Sequence, residues 1–150
     1  MSLESRVLRT HQAIYEVTRG VLGHRLIGVP TLLLITTGRR TGSRRTAALV
    51  YAKDEDGSLI VTASSGGADR APGWLHNVKA DASIEIQLKR DRFDGRAEVV
   101  GPKDAEYERL WALVNNNSHG RYERYQSKTD RPIELVKLRR GSSASEGVTD

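Results

Sequence analysis

The chain has 150 residues, of which 29% are charged and 37% hydrophobic, and its formal net charge is +5. That length suits a single domain able to bury a core, and the positive balance favours anionic partners. Cysteine is absent, which excludes disulfides, thiol nucleophiles and cysteine–zinc sites and fits a reducing interior.

Residues 3–23 carry Val7, Ile14, Val17 and Val21 at helical spacing, with Arg6, Arg9, Glu16 and Arg19 between them. Gly23 suits the end of such a helix. This basic amphipathic segment, residues 1–25, can pack on the core or lie on a membrane surface. It has no apolar block of signal-peptide length, and the greasiest stretch, Val29–Ile35, is too short to span a bilayer. The expectation is a cytoplasmic protein, with peripheral contact at the inner membrane face open through residues 1–25.

The main domain is expected over residues 26–140. Thr31–Thr37 and Arg45–Tyr51 are rich in β-branched and aliphatic residues and read as strands. Asp54–Gly57 is a turn signal, and Ser58–Ala63 a third strand. After the loop Ser64–Gly67, Pro72 opens a short helix ending near Ala80. Ser83–Leu88 and Arg92–Val100 alternate apolar and polar residues, so they read as half-buried strands joined by a hairpin at Lys89-Arg90-Asp91. Lys103–Asn115 places Tyr107, Leu110, Trp111 and Val114 on one helical stripe. Gly120–Gln126 reads as a further short helix and Ile133–Leu138 as the last strand. Residues 141–150 are Ser/Gly-rich and are expected to be disordered. Short turns join most of about six strands, so the fold class is α+β: a small, mostly antiparallel barrel with helices packed outside.

Much chemistry is excluded. His11, His24, His76 and His119 are scattered, so no metal site is expected. Neither G-x-S-x-G nor G-x-G-x-x-G occurs. Gly38-Arg-Arg-Thr-Gly42 has the wrong glycine spacing for a P-loop. Any redox chemistry must therefore come from a cofactor.

Three patches remain. Between the first two strands lies Thr36-Thr-Gly-Arg-Arg-Thr-Gly-Ser-Arg-Arg-Thr46, where Arg39, Arg40, Arg44 and Arg45 crowd a glycine turn. Such a turn can receive phosphate or carboxylates, or merely keep a hairpin tip solvated. The second patch runs from Thr62 to Asn77, with small residues beside Trp74, whose indole also suits core packing. The third is Tyr122-x-x-Tyr125, which puts two phenols on one helical face. Taken in isolation, such a pair is better explained by ordinary partial burial.

In this order, the patches resemble the deazaflavin-dependent nitroreductase family of actinobacteria, whose members bind coenzyme F420 in a split β-barrel. The resemblance covers residues 25–138. It rests on Thr36-Thr-Gly-Arg-Arg-Thr-Gly-Ser-Arg-Arg45, on Ser64-Ser-Gly-Gly67 with Pro72-Gly-Trp-Leu-His-Asn77, and on Tyr122-Glu-Arg-Tyr-Gln-Ser-Lys-Thr-Asp-Arg131. It implies that Arg39, Arg40, Thr41 and Arg45 hold the anionic tail of F420. Thr46, Ala47, Ala48, Leu49 and Val50 would line the deazaflavin ring, and Thr62, Ala63, Ser64 and Ser65 would continue that wall. Gly73, Trp74, Leu75, His76 and Asn77 would close over the tail. Tyr122 and Tyr125 would face the substrate, with Ser64, Tyr122 and Tyr125 as the catalytic set and Tyr122 also touching the coenzyme. The chain departs from the family pattern at Arg40, Ala48, Ser65 and His119, which bears on substrate choice more than on the coenzyme.

The resemblance thus implies an F420H2-dependent reductase moving a hydride to a small electron-poor acceptor: a quinone, nitroaromatic or activated enone. A non-catalytic F420 carrier or sequestering protein is the alternative. Nucleic acid is not an expected partner, because no aromatics interleave the basic cluster. The oligomeric state stays open.

Overall fold

Side-chain alternation along the strands decides the architecture, because a strand with two apolar faces must be covered on both. A computed structural model describes residues 30–141; the expectations for residues 1–25 and for the tail beyond Gly141 fall outside the described residues. Six strands are present there: β1 (Thr31–Thr37), β2 (Arg44–Lys53), β3 (Leu59–Thr62), β4 (Ser83–Leu88), β5 (Asp91–Val100) and β6 (Leu135–Arg140). They close into a barrel in the order β1-β2-β3-β6-β5-β4, and every neighbouring pair is antiparallel. Three α-helices accompany them: α1 (Gly73–Ala80), α2 (Tyr107–Asn116) and α3 (Arg121–Gln126). None of the described helices is long and apolar enough to cross a membrane.

Register fixes what faces inward. Leu32 opposes Leu49, Leu34 opposes Ala47, and Val61 opposes Val136. These residues, with Leu59, Ile84, Ile86 and Leu138, form the barrel interior. Helix α1 packs Trp74, Leu75 and Val78 against the same cluster, while Gly73, His76 and Lys79 stay exposed on its other side. The alternate residues Ala52, Ile60 and Leu135 face outward, where Leu110, Val114 and Tyr122 from α2 and α3 cover them. Full burial of an aliphatic side chain is worth about 1.5–3 kcal/mol, so both faces of β3 and β6 contribute.

Boundaries moved where backbone groups found other partners. The turn expected to be the start of the Lys103–Asn115 helix is held by Asp104, whose Oδ2 accepts the Gly101 N–H at 2.6 Å, and regular helix begins at Tyr107. The last strand starts at Leu135 rather than Ile133. Gln126 Oε1 takes the Ile133 N–H at 2.9 Å, and the Tyr107 hydroxyl donates to its carbonyl at 2.5 Å. Burial, with Glu134 nearby, pushes the Tyr107 phenol up to about 12. Pro72 stands one position before α1, as its N-cap.

An ion network ties the β2–β3 turn to α2. Arg109 donates from both terminal nitrogens to Asp54, at 2.8 and 3.0 Å, and Lys137, 1% exposed, donates to both oxygens of Glu106 at 3.0 Å. The hydrogen bonds from Arg109 hold the Asp54 carboxyl below the usual carboxylate range, against the opposing effect of its burial. Folding therefore favours the ionised form. That stability is fully present above about pH 4, the unfolded value, and is lost as pH falls through the lower folded value. Asp54→Asn should cost about 1–2 kcal/mol at pH 7, since Arg109 is half in water, and should flatten the acid limb of a melting-temperature profile.

Candidate active site

The β1–β2 connection, Gly38–Ser43, folds back on itself. The Gly38 N–H donates to the Ser43 carbonyl at 2.7 Å, and the Gly42 N–H to the Gly38 carbonyl at 2.8 Å. Gly42 sits at φ +74°, where a side chain would be strained. Thr41 and Ser43 link their hydroxyls at 2.7 Å, which stiffens the tip. Beyond it Arg44 and Arg45 diverge, as neighbours on a strand must. Arg44 turns to the outer wall and pairs with Glu85. Three of the four clustered arginines thus remain at the cleft.

That cleft has a volume of about 370 Å³ and is lined by Gly38, Arg39, Arg40, Thr41, Arg45, Thr46, Ala47, Gly73, Trp74 and Asn77. Asn77 joins its two walls. Its Oδ1 accepts both the backbone N–H and Nη1 of Arg39, each at 3.2 Å, and its Nδ2 donates to the buried Thr36 hydroxyl at 3.1 Å. Trp74, 9% exposed, packs in the barrel core and also lines the cleft, so packing and site coincide. Among the described residues, Arg39, Arg40 and Arg45 have no carboxylate partner. A larger hollow of about 590 Å³ lies along β1, β4 and β5, but it mixes Arg44 and Arg96 with Glu85 and Asp94. Uncompensated charge, not volume, singles out the arginine cleft.

From that cleft β2 leads toward the second and third patches. Thr46, Ala48 and Val50 share its outer face, while Ala47 and Leu49 turn inward to the core. The step from Thr46 to Val50 covers about 14 Å at strand rise. At its far end Val50 and Tyr122 line one narrow gap with Ile60, Val114 and Ser118. Tyr122 is 6% exposed and meets Tyr125 edge to face, with ring centroids 6.1 Å apart. Burial raises the Tyr122 phenol above its ordinary value, and Arg121 and Thr62 work in the opposite direction. Thr62 makes no formed bond there, since its buried Oγ1 has no hydrogen-bond partner among the described residues.

The remaining expected residues separate by exposure. Leu75 is fully buried in the core and His76 is exposed, so neither side chain lines the cleft. Ala63 and Ser64 are buried, whereas Ser65 is exposed at φ +43° in a single 3-10 turn, Ser65–Gly67. Sequence reasoning passed over Arg131 and Gln126, which stand in the third motif but only gain a role once Arg131's bond to the second motif's loop, and Gln126's bond to Arg131, are visible. It also gave no part to Thr36, the acceptor beneath Asn77.

A closed antiparallel barrel with such a basic rim defines a small α+β split barrel. Residues 7–139 match the family model for F420H(2)-dependent quinone reductase. The chain is 51% identical over 136 residues to an F420H(2)-dependent quinone reductase of Mycobacterium tuberculosis, covering 90% of this chain and 91% of that protein. A solved F420-H2 dependent reductase superposes with a TM-score of 0.64 at 31% identity, over 73% of this chain and 93% of that one. Another solved structure, a domain-swapped dimer, gives 0.65 at 31% identity, over 73% of this chain and 79% of that one. The chain belongs to the F420H(2)-dependent quinone reductase family. It is an F420H2-dependent oxidoreductase, and reduced F420 is its hydride donor.

Proposed function

We propose that this chain reduces a quinone-type acceptor, with the anionic tail of F420 seated in the arginine cleft and the ring along the outer face of β2. One observation carries this reading: Arg39, Arg40 and Arg45 converge on one cleft without a carboxylate among the described residues. Uncompensated guanidiniums are matched by a phosphodiester and carboxylates, which accept their forked donors. The relatives' names supply the quinone; nitroaromatics and activated enones share the electron-poor character that the same site would accept.

When bound, the reduced coenzyme supplies a hydride. The protein's part is positioning, which is worth about 7–11 kcal/mol in favourable systems. Thr41 would bind the tail with the arginines, and Gly73 and Trp74 would close the cleft beside it. Thr46, Ala48 and Val50 would present a flat, half-buried strip to a ring, with Leu49 acting only through its backbone. Ser64, Tyr122 and Tyr125 would orient the acceptor and stabilise the charge that develops on it. A phenol whose acidity is lowered by burial serves better as a hydrogen-bond donor than as a proton source, so Tyr122 Oη would hold its proton while the acceptor turns over.

The test combines a titration with single-turnover kinetics. F420 should saturate the protein, and bound F420H2 should be oxidised rapidly on mixing with a benzoquinone or naphthoquinone. Tight binding with no oxidation by any acceptor would leave a carrier instead. Tyr122→Phe should lower kcat about tenfold or more, with F420 affinity within about threefold of wild type. Unchanged turnover would remove Tyr122 from the acceptor site.

A further inference from the structure

The third motif does more than present tyrosines. Its last residue, Arg131, reaches back more than sixty positions to the second motif. Nη1 donates to the Ala63 carbonyl at 3.1 Å, and Nη2 donates to the Ser64 carbonyl at 3.1 Å and the Ala68 carbonyl at 3.0 Å. Nε adds a further bond to Ala68 at 3.2 Å. One planar guanidinium therefore fixes three carbonyls bracketing Ser64 and Ser65. A peptide is rigid, so holding the carbonyls of Ala63 and Ser64 sets the planes of both following amides.

The clamp is itself braced. Thr129 donates its hydroxyl to Asp69 at 2.7 Å and accepts the Arg131 N–H at 3.2 Å. Gln126 Nε2 donates to the Thr129 carbonyl at 3.2 Å and the Arg131 carbonyl at 2.8 Å, and its Oε1 receives the Ile133 N–H. The loop meets α3 so closely that a Cβ on Gly67 would come 2.7 Å from the Tyr125 carbonyl. Without such a hold the segment would be loose. Ser65, Gly66 and Gly67 all lie at positive φ, which is a costly run of backbone for the exposed Ser65 to keep.

We infer that Arg131 is a positioning residue of the active site: through three backbone carbonyls it sets Ser64 and Ser65 against Tyr122 and Tyr125, and so governs turnover rather than coenzyme retention. The inference rests on the functional reading above, in which the Ser64 segment orients the acceptor. Arginine is required there because a lysine offers a point charge and cannot span three acceptors in one plane. The arginine cleft contains no part of the clamp, so the two functions are separable.

The experiment compares wild type, Arg131→Ala, Arg131→Lys and the milder Asp69→Ala, which cuts only the outer brace. F420 affinity, kcat and KM for a soluble quinone, and hydrogen exchange at Ser64–Ala68 are measured for each. For Arg131→Ala the expected result is a fall in kcat of about tenfold or more, F420 affinity within about threefold, and faster exchange confined to that loop. Added guanidinium ion should recover part of the lost turnover where ammonium does not. Arg131→Lys should resemble Arg131→Ala, and Asp69→Ala should lose about two- to threefold. The inference is overturned if Arg131→Lys turns over at the wild-type rate, or if kcat and F420 affinity fall together with the melting temperature in every variant. Should wild type itself bind F420 without reducing any quinone, the functional reading falls first, and the inference with it.

Discussion

Replacing Arg39, Arg40 and Arg45 together by glutamine should weaken F420 binding about 100-fold. A hydrogen bond to a charged group contributes about 1.5–3 kcal/mol when shielded from water. These three arginines are exposed, so about 1 kcal/mol each is the sounder figure, and each 1.4 kcal/mol is a factor of ten. The melting temperature should fall only slightly, because none of the three has an ion-pair partner to lose among the described residues and Arg39 keeps its backbone bond to Asn77 while losing the one from Nη1. Wild-type affinity should also fall as salt rises toward physiological strength and beyond, where the Debye length shrinks below about 8 Å. The triple variant should lose most of that salt dependence. Arg44→Gln is the control for loss of one charge: its guanidinium pairs with Glu85 on the outer wall, so affinity should stay within about twofold. Isothermal titration at two salt concentrations measures all of this. A loss in the control as large as the triple variant's loss per charge removed would mean that net charge, not the cleft, attracts the coenzyme.

The contrast between Arg44 and Arg45 shows how far the sequence could be read. Strand periodicity was visible in Thr31–Thr37 and Ser83–Leu88, and both strands have those ends in the structure. The barrel followed from short turns between strands, and its closure from the pairing of β1 with β4. The arginine turn was equally plain, because glycines mark the bend and charges crowd it. What periodicity could not show was which arginine is neutralised from outside. Glu85 stands 41 positions away, and only β1–β4 pairing brings it beside Arg44. Ile133 was misread for a related reason. Its sequence suits a strand, yet Gln126 and Tyr107 had already taken its backbone groups. Arg131 was legible as part of a motif but not as a clamp, since its acceptors are carbonyls, and carbonyls leave no trace in the identity of a residue.

Asn77 is where fold and site depend on the same atoms, and two substitutions there should separate them. Asn77→Ala removes three hydrogen bonds and leaves the Thr36 hydroxyl, 2% exposed, without a donor. A buried polar group left unpaired costs about 1–3 kcal/mol, which for a chain of this size lowers the melting temperature by about 2–4 °C per kcal/mol. Arg39 would lose its anchor to α1, and F420 affinity should drop with stability. Asn77→Asp keeps the shape. One carboxylate oxygen can still accept from Arg39, and the Thr36 hydroxyl can rotate to donate to the other. Stability at neutral pH should therefore hold to within about 1 kcal/mol. Coenzyme affinity should not hold, because the new carboxylate neutralises Arg39 and repels the tail, and a loss of tenfold or more is expected. Paired thermal melts and F420 titrations of the two variants decide the matter. If Asn77→Asp bound F420 as well as wild type does, the anionic tail would have to lie elsewhere than between α1 and the arginine turn.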